Sequence, residues 1–387
     1  MSKAPNGFGS IRKKVVNGKT YYEGRYTDPI LHKQKSVSAP TQKECREKLM
    51  KVLSQIEQGS YVTPQKITVG SWMDQWLESR QRIESTSSTL YERYIRLYIK
   101  PALGKVNIQE LRYIHCQDFI NSLAHDPKRE KQLSAKTVAN IAAVLCASLN
   151  TAVKAELIKS NPAANLEKPR IQKVEPKVMS MDDQRLFMSV VDKSPYKNLY
   201  LIGLNLGLRI SEALALQWKN IDMTTGEIKI DKQLSRKAGE IERGLKDTKT
   251  HKARTIVAPT FVLDILKNER TIQASNQLRA GKNWSNPDGL VFTREDGSPI
   301  PHNSPSKGFK RLADEIGRPD LSFHSLRHTY ITDELRLGTD LKTVSENAGH
   351  STITITADVY AAATKDMKKA AAERRQLAHE AAKKESS

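Results

Sequence analysis

The sequence has little of what marks a secreted, membrane-spanning or zinc-knuckle protein. Its three cysteines, Cys45, Cys116 and Cys146, form no Cys-x-x-Cys pair, which favours free structural thiols over a disulfide framework or a zinc site. No apolar run approaches the roughly 18 residues that a membrane-spanning helix needs, and residues 1–10 lack the apolar stretch of a signal peptide. We therefore expect a cytoplasmic protein with no membrane association.

Acidic residues are also in short supply. There are 43 Asp and Glu residues against 63 Lys and Arg residues, which gives a formal net charge of +20 and a pI of about 9.7. This excess points to a polyanionic partner, most simply nucleic acid, although ribosomal and membrane-surface proteins share it. At roughly 100–200 residues per domain, the 387 residues predict two or three domains.

The first segment, residues 1–63, is predicted to form a small sheet and one helix. Asn17-Gly18 stands between two basic, β-favouring stretches, which is a strong hairpin signal, and residues 33–40 form a third extended stretch. Thr41, with a glutamate three residues further on, matches a capping box, and Gly59 marks the end of the helix. The segment carries seven more basic than acidic residues.

Two further domains and a linker are predicted after this segment. Residues 67–166 show almost only helical patterns, and residues 167–179 are rich in Pro and Lys, which is typical of an extended linker. Residues 180–387 mix helices with short strands and end in a helical tail. The fold class predicted is multidomain α+β: a three-stranded sheet plus helix, a helical bundle and a mixed, mainly α domain.

The most informative stretch for chemistry is FHSLRH, at residues 323–328. Helical spacing places His324, Arg327 and His328 on one face, where two imidazoles and a guanidinium can bind an anion and exchange a proton near neutral pH. A solvated basic helix has the same pattern. These residues taken alone do not decide between the two interpretations.

Arg209 lies in the apolar stretch 198–218, which predicts a single helix, and Glu212 is three residues further on. A guanidinium in so apolar a neighbourhood needs a partner. Glu212 could pair with Arg209 only to fix the helix, or it could hold the guanidinium rigid for a phosphate.

Two other residues have both an ordinary and a chemical interpretation. Tyr360 follows Gly349-His350 by ten residues and could simply pack at the end of a short helix. It could instead be a covalent nucleophile, if nearby positive charge stabilises a phenolate whose ordinary pKa is about 10. Lys249 lies in a turn between two predicted strands, where it could be an ordinary solvated lysine or a general acid.

Five motifs occur in the order, and at about the spacing, of the catalytic motifs of tyrosine recombinases: GLRISEALAL, DTKTHKARTI, FHSLRH, AGH and Tyr360. The chain resembles the phage and conjugative-element integrase branch of that family, and the likeness covers essentially the whole chain. One departure is Ala348, where the family most often has Leu before Gly-His. We expect this departure to affect packing only.

The resemblance implies a role for each matching residue. The implied catalytic set is Arg209, Lys249, His324, Arg327, His350 and Tyr360, with Glu212 in a supporting position. The two arginines would clamp the scissile phosphate, and Tyr360 would attack it. If Tyr360 is not the nucleophile, Tyr330, beside the His-Arg motif, is the next candidate. Lys249 would protonate the leaving oxygen, and His324 would take the tyrosine proton. Guanidiniums can stabilise the transition-state charge by themselves, so we expect no metal and no other cofactor.

The implied function is a site-specific recombinase that integrates or excises a mobile element in the bacterial cytoplasm, at the nucleoid. The alternatives are a type IB topoisomerase-like enzyme and a non-catalytic DNA-binding regulator. The implied partners are double-stranded DNA with core-type and arm-type sites, further copies of the chain in a tetramer, and accessory bending or directionality factors.

The implied domains are an arm-binding domain at 1–63, a core-binding domain at 67–166 and a catalytic domain at 180–387. Expected arm contacts, unless they form only a solvated face, are Arg12, Lys13, Lys14, Lys19 and Arg25.

Overall fold

A computed structural model of the chain describes residues 10–16, 18–59, 61–80, 85–125, 132–172, 175–234, 244–247, 253–361 and 375–376. The chain divides into two compact units, Met1–Gln172 and Lys173–Ser387, and each has its own hydrophobic core. The predicted tail helix lies outside the described residues, apart from 375–376.

The amino-terminal part of the first unit is an antiparallel sheet in the order β1-β2-β3, followed by a helix. The elements are β1 (Ile11–Val16), β2 (Lys19–Thr27), β3 (Gln34–Ala39) and α1 (Gln42–Glu57). Gly18 has a φ of 75° in the β1–β2 turn, a conformation that glycine adopts without steric strain. The Thr41 hydroxyl caps α1 by accepting a hydrogen bond from the amide of Glu44. The predicted sheet and helix are confirmed.

Asp28 ties the sheet to the segment that follows α1. Its fully buried carboxylate accepts hydrogen bonds from two amides of the β2–β3 loop, from the Tyr61 hydroxyl at 2.9 Å and from the Thr63 hydroxyl at 2.9 Å. Burial by itself would raise the pKa of Asp28, but these hydrogen bonds outweigh it and hold the pKa well below its ordinary range. Lys35 adds an ion pair at 3.4 Å.

The rest of the first unit is helical, as predicted. The helices are α2 (Val69–Ser79), α3 (Ser85–Tyr94), α4 (Lys100–Leu103), α5 (Tyr113–Ala124) and α6 (Ala135–Lys154). A π-helical turn, Ile95–Ile99, joins α3 to α4 without a loop. The side chains of Trp72 and Trp76 on α2 donate to α6, at the Ser148 carbonyl and the Thr151 hydroxyl.

Helix α6 differs from the expectation that no part of the sequence is long and apolar enough for a membrane-spanning helix. Among the described residues it is the one helix long and apolar enough to cross a membrane by length and composition. Its apolar side chains instead fill the core of the bundle, where Ile141, Leu145 and Leu149 are completely buried. The helix is apolar because α2 and α5 pack around it within the same domain.

The second unit is a mainly helical domain with two small antiparallel sheets. Its elements are α7 (Met181–Val190), α8 (Lys197–Leu206), α9 (Ile210–Ala213), β4 (Glu227–Ile230), β5 (Lys232–Leu234), β6 (Leu245–Asp247), β7 (Arg254–Val257), α10 (Thr260–Ala280), α11 (Asn303–Glu315), α12 (Phe323–Arg336), α13 (Leu341–Ala348) and α14 (353–361). Strand β4 pairs with β7, and β5 pairs with β6. The core includes packed rings of Phe187, Tyr200, Phe309 and Phe323.

The single helix predicted over 198–218 is wrong. Helix α8 ends at Leu206, and Gly207 takes the left-handed conformation, with a φ of 62°. A Cβ at residue 207 would lie 2.3 Å from Cδ1 of Tyr330, so the close approach of α12 also requires a glycine there. Arg209 has an extended backbone and precedes the short α9. The apolar pattern continues through the break because Leu208 still points into the core.

Candidate active site

Arg209 is held at the break between α8 and α9. Its Nη1 donates to Oε1 of Glu212 at 2.7 Å, and its Nη2 donates to the carbonyl of Gly349 at 2.8 Å. The Arg209 backbone amide also donates to Oε2 of Glu212 at 3.0 Å. The side chain of Arg209 is 38% exposed, whereas that of Glu212 is 3% exposed. A rigid guanidinium is therefore presented at the surface by a buried carboxylate.

Arg254, at the start of β7, shares the same carboxylate. Its Nη2 donates to Oε2 of Glu212 at 2.8 Å, and its Nε donates to the carbonyl of Asn347 at 2.8 Å. Burial by itself would raise the pKa of Glu212, but the hydrogen bond and charge of Arg254 and the charge of Arg209 lower it to about 2. Arg254 was not among the predicted site residues, although it lies in the DTKTHKARTI motif, because the lysines of that motif were the candidates for a general acid.

Arg327 is the most deeply buried cation of the site. It lies on α12 with 1% of its surface exposed, and its Nη1 donates to the carbonyl of Gly207 at 2.8 Å. Its Nε and Nη2 atoms are buried and have no hydrogen-bond partner among the described residues. Burial, followed by the charge of Arg209, lowers the pKa of Arg327 to about 9. A buried guanidinium with two unpartnered nitrogens is unusual, because buried polar atoms nearly always have hydrogen-bond partners.

The predicted helix at FHSLRH is confirmed, and its first turns carry two histidines beside Arg327. The rings of His324 and His328 meet edge to face, with centroids 4.5 Å apart. Although the His324 residue is exposed to solvent, desolvation of its ring within the site and the Arg327 charge lower its pKa to about 4. Burial and the neighbouring His324 and Arg327 likewise lower the pKa of His328 to about 4. Both imidazoles are therefore neutral at pH 7.

His350 follows the carboxyl end of α13. Gly349 ends that helix with a φ of 65°, and a Cβ there would lie 2.6 Å from Nη1 of Arg254. The Nδ1 atom of His350 lies 2.7 Å from the hydroxyl oxygen of Thr356, a fully buried residue on α14. Burial, then the charges of Arg327 and Arg209, lower the pKa of His350 to about 3.

Tyr360 lies half-buried near the end of α14, and its neighbour Val359 fixes that helix to the same domain. Val359 belongs to a small buried cluster with Tyr330, Ile331, Val344 and Ala348. Ala348 is thus a packing residue. Tyr330, the second candidate nucleophile, is 7% exposed, and burial raises its pKa to about 12. Tyr330 is therefore part of the buried cluster, and Tyr360 is the more exposed of the two tyrosines.

The described residues include most of the predicted catalytic set. Arg209 and Arg327 converge with His324 and His350 around Glu212 through the hydrogen bonds and charges given above. Lys249 lies outside the described residues, between β6 and β7. Within the described part of the chain, no group of three or more His, Cys, Asp or Glu residues could hold a metal ion. The expected independence from metal stays a prediction.

The predicted arm contacts divide between the two faces of the amino-terminal sheet. Gly24 lies against Leu49 and Cys45 of α1, so its face is the covered one. Strand alternation and pairing put four of the contacts on the opposite face: Arg12, Lys14, Lys19 and Arg25. Lys13 lies on the α1 side but is exposed. Glu23 also lies on the open face, and it pairs with Arg25 at 3.2 Å and with Lys14 at 3.9 Å.

Known proteins share this architecture. Residues 177–367 match the phage integrase family, and residues 68–124 match the phage integrase N-terminal SAM-like domain. A tyrosine recombinase XerC-like protein of Caldanaerobacter subterraneus subsp. tengcongensis is 30% identical over 370 residues, covering 89% of this chain and 93% of the relative. The ICEBs1 integrase of Bacillus subtilis is 25% identical over 90% of this chain and 94% of its own.

Solved structures show the same fold. The Tn1549 transposon integrase in complex with a circular intermediate DNA has a TM-score of 0.66 at 23% identity, over 80% of this chain and 99% of that one. A lambda integrase dimer bound to a COC′ core site has a TM-score of 0.58 at 15% identity, over 90% and 94% of the two chains. These findings favour neither a topoisomerase nor a non-catalytic regulator. The chain belongs to the phage integrase family and is a tyrosine recombinase, an enzyme of site-specific DNA recombination.

Proposed function

We propose that Arg209 and Arg327 bind the scissile phosphate of a core-type DNA site while Tyr360 attacks its phosphorus. The observation that carries this proposal is the pair of unpartnered nitrogens on buried Arg327. A buried guanidinium with free donors is well suited to an anionic acceptor, and a phosphodiester offers two non-bridging oxygens in a geometry that guanidinium recognises.

The charge of the site suits the transition state better than the ground state. The three guanidiniums of Arg209, Arg254 and Arg327 lie near the buried carboxylate of Glu212, and the three histidines are neutral at pH 7. These named side chains together carry an excess of two positive charges. A phosphodiester carries one negative charge and gains a second as it becomes pentavalent, so the attraction grows as the reaction proceeds.

The proposed bond changes are those of attack by a tyrosine on a phosphodiester. The Tyr360 oxygen bonds to phosphorus, the bond from phosphorus to the 5′-oxygen breaks, and a 3′-phosphotyrosyl intermediate results. Neutral His324 takes the phenol proton, and Lys249 gives a proton to the departing oxygen. Since Nδ1 of His350 faces Thr356, its Nε2 is the ring nitrogen left to donate to the phosphate. A 5′-hydroxyl of another duplex then reverses the step without ATP or a cofactor.

The wider assignment is an integrase that inserts or excises a mobile element in the bacterial cytoplasm. Four copies of the chain would act on two core sites through a Holliday junction, the DNA form on which a lambda integrase tetramer has been solved. The open face of the amino-terminal sheet would bind separate arm sites through its basic side chains, and Lys13, on the other face of the edge strand β1, would add a contact from the side. Accessory bending or directionality factors would select integration or excision.

A nicked suicide DNA substrate tests the proposal, because loss of a short 5′-fragment traps the covalent intermediate. We expect an adduct that maps to Tyr360 and transfer of the strand to a second duplex. Absence of any adduct with bound core DNA would contradict the enzyme mechanism. Rejoining only to the original strand would instead favour a topoisomerase.

A further inference from the structure

Arg254 differs from the two proposed phosphate ligands in the use of its nitrogen atoms. Its side chain is 13% exposed, and Nε, Nη1 and Nη2 all donate to protein oxygens. Arg327, by contrast, keeps two nitrogens without a partner, and Arg209 is more than a third exposed. Arg254 is thus poorly placed to bind DNA and well placed to hold other groups.

The Glu212 carboxylate is shared between two arginines in a fixed arrangement. Oε1 accepts from Nη1 of Arg209 at 2.7 Å and from Nη1 of Arg254 at 3.3 Å. Oε2 accepts from the Arg209 amide at 3.0 Å and from Nη2 of Arg254 at 2.8 Å. Without Arg254, the buried carboxylate would lose half of these donors and could turn toward other donors. The plane of the Arg209 guanidinium would then no longer be fixed.

The same two arginines hold the carboxyl end of α13. Arg254 donates to the carbonyl of Asn347, and Arg209 donates to the carbonyl of Gly349. Cations at this end of a helix also interact favourably with its dipole. His350 comes next in the chain, so its position depends on these contacts. Gly349 permits them, since any side chain there would collide with the Arg254 guanidinium.

We infer that Arg254 is a positioning residue for the recombination reaction. It orients Arg209 through Glu212 and sets the position of His350 through the end of α13, without touching DNA itself. The inference rests on the proposed roles of Arg209 and His350. A misplacement of about 1 Å in such groups lowers reaction rates by roughly 100-fold.

The test measures single-turnover cleavage of a nicked core site, core-site affinity and thermal stability for Arg254→Gln and Arg254→Lys. We expect Arg254→Gln to cleave about 100-fold more slowly at saturating DNA, with unchanged affinity. Arg254→Lys should recover part of the rate, because an ammonium can pair with Glu212 but cannot also reach Asn347 in the same geometry. Arg318→Gln is the matched control, since Arg318 pairs with Asp320 in the same unit. It should cleave normally.

A double-mutant cycle shows whether Arg254 acts through Glu212. In a Glu212→Gln background, Arg254→Gln should lower the rate by much less than 100-fold. An undiminished loss in that background would overturn the inference, and so would cleavage by folded Arg254→Gln within threefold of the unaltered protein. If Arg254→Gln does not fold, Arg254→Lys takes its place in the cycle under the same criteria. Normal cleavage by Arg209→Gln would refute the proposed function itself.

Discussion

Replacement of Arg327 by methionine should stabilise the DNA-free protein and nearly abolish cleavage. Methionine keeps an unbranched, apolar side chain that reaches about as far as Nε of arginine, and it removes the guanidinium with its charge. Burial, and then the charge of Arg209, lower the pKa of Arg327 from an ordinary 12.5 to about 9. At about 1.36 kcal/mol for each pKa unit, this corresponds to roughly 5 kcal/mol by which the folded state disfavours the charged side chain. This penalty applies in full below pH 9 and is lost as the pH rises toward 12.5.

Other changes offset part of that gain. The carbonyl of Gly207 loses its hydrogen bond from Arg327, which costs about 1–3 kcal/mol. The net stabilisation is then about 2–4 kcal/mol. For a unit of this size it raises the Tm by about 4–16 °C, as differential scanning calorimetry at pH 7 can measure.

Activity should change in the opposite direction. Loss of a transition-state donor lowers the cleavage rate by about 100-fold to 1,000-fold, whereas core-site affinity falls little, because one phosphate contact among many is lost. Arg318→Met, which removes a partly exposed and ion-paired guanidinium, should not raise the Tm. A lower Tm for Arg327→Met would mean that the buried charge is stabilising. Undiminished cleavage would refute its role at the phosphate.

Four further outcomes are expected. Tyr360→Phe should bind core DNA without forming a covalent adduct on a denaturing gel, whereas Tyr330→Phe should still form one; the opposite pattern would exchange the two roles. Lys249→Ala should cleave slowly, and sulfur in place of the leaving 5′-oxygen should restore the rate, since a thiolate leaves without a proton; a defect that persists would argue against a general acid. The pKa of His328 is about 4 in the folded state and about 6.5 in the unfolded state, so the free energy of unfolding measured in urea should fall as the pH drops from 6.5 toward 4. The contribution of this residue should be about 1–2 kcal/mol at pH 5, and His328→Gln should make the free energy of unfolding depend less on pH. Deletion of residues 1–62 should leave core-site cleavage intact and flatten the salt dependence of arm-DNA binding, by about 0.9 in slope per lost phosphate contact; an unchanged preference for arm-containing DNA would refute arm recognition.

Local patterns were sufficient for several elements of the fold. The turn after β1 and the cap of α1 depend on residues within four positions of one another, and both occur where the sequence predicts them. The helix at Phe323–Arg336 occurs where the sequence predicts one, and helical spacing by itself brings His324 and Arg327 to neighbouring positions on it. The order of five motifs along the chain was enough to identify the family.

Other features depend on contacts between residues far apart in the sequence, and these only the tertiary structure decided. The apolar pattern of residues 198–218 indicates which side chains are buried. It does not indicate that Gly207 adopts a left-handed backbone conformation where Tyr330 packs against it. The place of Arg254 beside Glu212, 42 residues away, depends on the fold, in which β7 packs against α13. The lowered pKa values of the histidines likewise come from burial and from charges that the fold brings together. The sequence determines the intrinsic chemistry of each residue, whereas the tertiary structure determines its dielectric surroundings and its charged neighbours.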